Sequence, residues 1–260
     1  MKIDIWENCQ YKPNHIYNAD CYEAIKKIPS KSIDLVYIDI PYLIEDGGCS
    51  SSELSKRIKK VQHQEIENIR HSINYSIFDE LCRVMKKIYI YIWCSKEQMF
   101  EIMKYFIENK KVRFNLLVWC KTNPTPMTNN VWLPDVEYCF CFKESGAKRY
   151  NDGYELKSKF YLSAKNKQDK NLFQHPTIKP LELVKRHLLH STNENDIVLD
   201  CFLGSGTTAV ACKELGRKYI TLRQEGVKLT NIANRFGIST TAVHKILNER
   251  SVVKNEKESS

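Results

Sequence analysis

Val198-Leu199-Asp200-Cys201-Phe202-Leu203-Gly204-Ser205-Gly206-Thr207-Thr208 leads from an apolar run, through two glycines, into a hydroxyl pair. Residues 196–199 read as a buried strand and 207–215 as a helix. Glycines let the backbone approach a ligand closely, and the first turn of a helix favours negative charge. A plain strand-to-helix turn has the same look, so this stretch speaks for an α/β unit before it speaks for a ligand. Working outward, residues 218–222 read as a further strand and 181–189 as a helix ahead of the unit.

The same alternation extends upstream. Strands are expected at 15–18, 33–38, 88–93, 114–119 and 136–142, with 33–38 and 114–119 apolar enough to be buried. Helices are expected at 22–28, 77–85 and 96–108, the last with Met99, Ile102, Met103 and Phe106 on one face. Strands alternating with helices predict an α/β fold, a doubly wound and mostly parallel sheet. Two stretches break the pattern. Residues 43–76 read as a loop and an exposed basic helix, and 146–174 as a polar, basic segment carrying Tyr and Phe. Residues 123–134 form a loop with three prolines.

Composition narrows the functional classes. The chain of 260 residues has 40 basic and 31 acidic side chains, a net charge of +9 that favours a polyanionic partner such as nucleic acid. No apolar run is long enough for a membrane span, and residues 1–18 lack a secretory signal pattern. The ten cysteines are scattered without metal-site or redox spacing, so reduced, buried thiols and no metal are expected.

Two further motifs carry chemistry. Asp39-Ile40-Pro41-Tyr42 follows the strand at 33–38 directly. The carboxyl end of a strand is where ligands bind in such a sheet. Asp39 can accept a hydrogen bond from an amino group, the carbonyl of Ile40 is a second acceptor held by the X-Pro geometry, and Tyr42 can stack on a planar base. A strand-ending turn with an incidental Tyr would also fit. His175-Pro176-Thr177-Ile178-Lys179-Pro180 sets hydroxyl and ammonium donors on a stiff loop, suited to a carboxylate, although it also reads as a proline-rich helix entry.

Taken along the chain, Asp39–Tyr42 first, then His175–Pro180, then Leu199–Thr208, the three motifs resemble those of the β class of amino-group DNA methyltransferases, small adenine-N6-specific type. Asp20-Cys21, Ile33-Asp34-Leu35-Val36, Trp119-Cys120-Lys121-Thr122-Asn123-Pro124 with Thr125-Pro126, and Glu137-Tyr138 add to the likeness, which covers residues 15–222. It implies a Rossmann-like methyltransferase fold with permuted motif order and S-adenosylmethionine as cofactor. It further implies methyl transfer to N6 of an adenine flipped out of duplex DNA, with a catalytic set of Asp39, Ile40, Pro41 and Tyr42. For the cofactor it implies Asp200, Phe202, Gly204 and Gly206 around the methionine part, Thr177 and Lys179 at the carboxylate, and His175, Ser205 and Thr207 as further cofactor-binding residues. Asp20 would face the adenine edge. The implied setting is a restriction-modification system or phage. Double-stranded DNA is then the partner, with a homodimer and a cognate restriction endonuclease as further ones, in the cytoplasm of a bacterial or phage-infected cell. Cytosine-N4 methylation, and a weakly catalytic DNA-binding protein on the same fold, stay open as alternatives.

Two positions depart from the family pattern. Ile40 stands where Pro is usual. Arg223 stands where the family ends its strand with an acid for the cofactor ribose, and Glu225 lies two residues on. The catalytic domain is thus expected over residues 1–222, with 43–76 and 146–174 as DNA-contacting inserts. Residues 223–250 resemble a helix-turn-helix, with Gly237 at the turn and Ser239 and Thr240 as caps. Residues 232–236 also resemble the family's closing helix. The charged residues 251–260 are expected to be disordered.

Overall fold

A computed structural model describes residues 4–42, 73–126, 132–147, 153–165 and 178–223. The expected basic insert up to residue 72, His175, Thr177, Glu225, the helix-turn-helix-like segment beyond Arg223 and the tail lie outside the described residues.

Eight strands make one sheet: β1 (His15–Asn18), β2 (Leu35–Asp39), β3 (Tyr89–Cys94), β4 (Arg113–Lys121), β5 (Val136–Lys143), β6 (Phe160–Ser163), β7 (Ile197–Asp200) and β8 (Lys218–Arg223). Their spatial order is β1-β8-β7-β2-β3-β5-β4-β6. The first five in that order are mutually parallel. β5 runs antiparallel to both its neighbours, and β6 parallels β4. The sheet is therefore mostly parallel, with β5 as the reversed strand.

Five α-helices lie among the described residues: α1 (Cys21–Lys26), α2 (Ile77–Val84), α3 (Met99–Met103), α4 (Leu181–Ser191) and α5 (Thr207–Glu214). None is long and apolar enough to cross a membrane. Strand alternation decides which face each helix covers. Val36, Ile38, Ile90 and Ile92 point to the face packed by Ala24 and Ile25 of α1, Phe78 and Leu81 of α2, and Ile102 of α3. Tyr37, Tyr89, Tyr91 and Trp93 point to the opposite face, against Leu183, Val184 and Leu188 of α4 and Ala211 of α5. By the same period-two count Asp39 shares the Tyr37 face.

Polar groups inside the second layer are paired. The Trp93 indole donates to the Tyr37 hydroxyl at 2.9 Å, and Tyr37 lies 3.2 Å from Nδ1 of His187. Burial holds His187 down at about 3, so the ring is neutral.

Three expectations change. The strand at 114–119 is not buried: β4 borders β6 only from Val118 onward, and Phe114 and Leu116 stay 41% and 38% exposed. β6 lies inside a segment read as irregular, because Phe160-Tyr161-Leu162-Ser163 is short and its apolar residues are exposed. The helix at 96–108 is composite: a 3₁₀ turn (Lys96–Gln98), α3, then π-helical winding over Lys104–Asn109. That winding still buries Phe106, stacked on Phe142 at 4.4 Å.

Candidate active site

β7 continues through α5 to β8 on one side of the sheet, while β2 leads by way of α2 to β3 on the other. The carboxyl ends of the neighbouring strands β7 and β2 therefore open a crevice at a switch point of the winding, where this architecture binds ligands. Both motifs flanking the crevice were legible in the sequence.

On the β7 side, Asp200 is buried, and its Oδ1 accepts from the Phe202 N–H at 3.0 Å. Burial raises its pKa to about 7, against the lowering effect of hydrogen bonds from Thr208 and Phe202. Asp200 thus braces the turn from inside. Gly204 and Gly206 have φ of 49° and 78°, the left-handed region that glycine enters without strain. Gly206 caps α5, the buried Ser205 and Thr207 hydroxyls lie 3.0 Å apart, and Phe202 and Leu203 are buried. At the end of β1, Asp20 caps α1, accepting from the N–H groups of Tyr22 and Glu23 at 2.9 and 3.0 Å.

On the β2 side, Asp39 ends the strand and the Ile40 N–H donates to the Trp93 carbonyl at 3.2 Å. The turn is clamped from the neighbouring element. Gln98, fully buried, donates from Nε2 to the Pro41 carbonyl at 2.8 Å and accepts from the Ser95 N–H at 3.0 Å. A single side chain thereby ties the turn after β2 to the turn after β3.

The densest electrostatics surround Lys179. Its ammonium donates to Asp39 Oδ2 at 2.6 Å, Glu137 Oε2 at 2.9 Å and the Tyr42 hydroxyl at 3.1 Å. Glu137 Oε1 in turn meets Lys121 at 2.8 Å. The result is a row of alternating charge, Lys121–Glu137–Lys179–Asp39, in which each buried ion has an opposite neighbour. Burial raises Glu137, but Lys179 and Lys121 overcome that and hold it at about 2. Burial also raises Asp39, and Lys179 only partly offsets it. For Lys179 the burial penalty is overcome by Asp39 and Glu137, which push it up.

An ammonium has three protons, and here all three have acceptors. Lys179 is thus engaged at the Asp-Ile-Pro-Tyr turn, whereas the resemblance implied a place at the cofactor carboxylate. The Asp39 carboxylate is differently placed. Its Oδ2 is held by Lys179, while Oδ1 is buried and without a partner.

Sequence reasoning assigned no role to Glu137, Lys121 or Gln98. Lys121 and Glu137 stand at the adjoining ends of β4 and β5, strands that also carry Arg113 and Lys143, so nothing local singled them out.

The profile of a family described as DNA methylase, N6_N4_Mtase, matches residues 33–231. The chain belongs to that family. This DNA methylase is 32% identical to the type II methyltransferase M2.LlaDCHI of Lactococcus lactis subsp. cremoris, over 81% of the chain and 84% of the relative. It is 30% identical to the type II methyltransferase M.HinfI of Haemophilus influenzae, over 84% and 67%. The crystal structure of an M1.HpyAVI–SAM complex superposes with a TM-score of 0.62 at 26% identity, covering 86% of this chain and 99% of that one. The cytosine-N4-specific PvuII DNA methyltransferase shares the fold, with a TM-score of 0.67 at 17% identity over 93% and 95%.

The methylase uses S-adenosylmethionine as its cofactor. The crevice has a feature that fits it: a glycine turn with left-handed residues at the start of α5.

Proposed function

We propose that this methylase transfers a methyl group to N6 of an adenine flipped out of duplex DNA. The observation that carries the reading is Asp39 Oδ1, a buried acceptor with no donor at the mouth of the crevice. A buried, unpaired acceptor is unfavourable unless something fills it, and an exocyclic amine supplies the N–H required.

An aromatic amine is a poor nucleophile because its lone pair is delocalised into the ring. Hydrogen bonds to Asp39 Oδ1 and the Ile40 carbonyl draw the nitrogen toward a tetrahedral shape and localise that pair. Both acceptors are fixed before substrate arrives, which is electrostatic preorganisation. Pro41 stiffens the turn, and Tyr42, its hydroxyl tied to Lys179, offers a ring for the flipped base. S-adenosylmethionine, when bound, supplies an electrophilic sulfonium methyl. Residues proposed to hold it are Asp20, Phe202, Gly204, Ser205, Gly206 and Thr207, with Asp200 bracing the turn and His175 and Thr177 reaching the carboxylate.

Adenine is favoured over cytosine because the first residue of the turn is Asp, the usual choice of the adenine-N6 members, where cytosine-N4 members more often carry Ser. The proposal extends to action in the cytoplasm, as a homodimer and beside a cognate restriction endonuclease. The direct test is transfer of labelled methyl from S-adenosylmethionine to unmethylated duplex DNA, followed by digestion to nucleosides. Label in N6-methyladenine supports the reading, and label in N4-methylcytosine replaces it.

A further inference from the structure

A comparison within the molecule bears on why Asp39 Oδ1 is free. Lys86 has one carboxylate partner, Asp34, and its ammonium spans both oxygens at 2.7 and 2.9 Å. Lys179 is as close to Asp39, at 2.6 Å, yet contacts Oδ2 alone. Lys179 has a second carboxylate beside it, which Lys86 lacks. Glu137 Oε2 takes another of the Lys179 protons at 2.9 Å, and the Tyr42 hydroxyl takes the third. Lys121 holds the far oxygen of Glu137 at 2.8 Å, which keeps Oε2 turned toward Lys179. All three charged side chains behind Asp39 are largely buried, at 5% to 11% exposure, so water does little to screen them.

We infer that Glu137 is a positioning residue for methyl transfer: it holds the Lys179 ammonium between two carboxylates, leaving Asp39 Oδ1 unpaired and turned to the substrate amine. The inference rests on the reading of Asp39 as the amine acceptor and adds the residue that sets its state. Remove the charge of Glu137, and Lys179 becomes a partner for Asp39 alone, as Lys86 is for Asp34. Both Asp39 oxygens are then engaged by the ammonium, and the carboxylate, though ionised, accepts from the amine poorly. Remove Lys179 instead, and two buried carboxylates face each other without a cation between them.

These two changes push the Asp39 titration in opposite directions. The ionisable groups facing Asp39 are Tyr37 on β2, Tyr42 beyond it, Cys94 on β3, Glu137 and Cys139 on β5, Asp200 ending β7 and Lys179 ahead of α4. Among these, Lys179 is the cation. Glu137 raises Asp39 and Lys179 lowers it. Loss of the Glu137 charge therefore moves the acid limb of the rate profile to lower pH, and loss of Lys179 moves it to higher pH.

The experiment is the pH profile of single-turnover methyl transfer to unmethylated duplex DNA with saturating S-adenosylmethionine, for wild type, Glu137→Gln, Lys179→Met and Asp39→Ala. Lys121→Met/Glu137→Gln is run alongside, because removing a neighbouring pair of opposite charges leaves the buried row neutral if the single variant fails to fold. We expect Glu137→Gln and the double variant to lose about tenfold or more in rate at neutral pH, the scale of one charge-assisted hydrogen bond. Their acid limb moves down while that of Lys179→Met moves up. An acid limb left in place in the folded Glu137 variants overturns the inference, as does one moved upward. Asp39→Ala separates the two levels. If it retains activity, the reading of Asp39 itself fails. If it is inactive while the limb stays fixed, only the role of Glu137 fails.

Discussion

At the scale of the residue, the site depends on one atom. Asp39 has one oxygen held by Lys179 at 2.6 Å and the other buried without a partner. Because Asp39 sits on β2 and the glycine turn follows β7, its removal leaves the cofactor side of the crevice intact. We expect Asp39→Ala to abolish methyl transfer while S-adenosylmethionine binding, read by calorimetry, stays within a few-fold of wild type. Loss of binding in that variant would contradict the assignment. Tyr42 presents a ring beside the same atoms. Tyr42→Ala is expected to weaken binding of DNA with a flipped base by about 1–3 kcal/mol, the worth of one base–aromatic stack, and unchanged affinity in a titration would remove the stacking role. The Asp and the Tyr were legible in sequence as a four-residue motif. Their partner Glu137 was not, because its pairing with Lys179 joins residues 42 positions apart and neither neighbours the motif in the chain.

At the scale of the element, the turns after β2 and β3 behave as one unit, since Gln98 bridges the Pro41 carbonyl and the Ser95 N–H. Gln98→Ala leaves both groups without that partner at a buried position, a cost of about 1–3 kcal/mol for each left unsatisfied. Thermal melts should show a fall of several degrees, and methyl transfer should fall as the turn loosens. A variant with unchanged melting and unchanged rate would show that the clamp is dispensable. Element boundaries in the parallel half followed the sequence closely, because β2, β3 and β7 are continuous apolar runs that only a buried strand accommodates. β4 and β6 did not follow it. Phe114, Leu116, Phe160 and Leu162 are apolar but exposed, and hydrophobicity by itself does not say which strand lies at the margin of a sheet.

At the scale of the whole molecule, two buried groups on one side of the sheet respond to pH in opposite senses. His187 falls to about 3 in the fold from its ordinary 6.5, so the folded state binds fewer protons and stability drops as pH falls below 6.5. Asp200 rises to about 7 from 3.8, so the folded state binds more protons and stability drops as pH climbs from 4 to 7. The two slopes offset each other in the wild type. Single variants expose them. Relative to wild type, His187→Gln should gain about 2 kcal/mol between pH 6.5 and 5, and Asp200→Asn should gain a similar amount between pH 5 and 7. Denaturant unfolding at several pH values reads both, and parallel curves for the two variants would exclude this account.

What the amino-acid sequence determined by itself was local and periodic. Apolar runs marked the strands, helical spacing marked the helices, two glycines marked a turn that needs left-handed backbone, and an Asp followed by Pro and Tyr marked the other lip of the crevice. Each of those signals lies within a dozen residues, where covalent geometry and side-chain periodicity act directly. The tertiary structure decided the rest. It put β2 beside β7, although some 160 residues separate Asp39 from Asp200, and it brought Lys179 against Asp39. It also supplied Glu137 and Lys121 from the β4–β5 pair. Which charge meets which depends on strand order and register, and those are settled only when the whole sheet buries its faces at once.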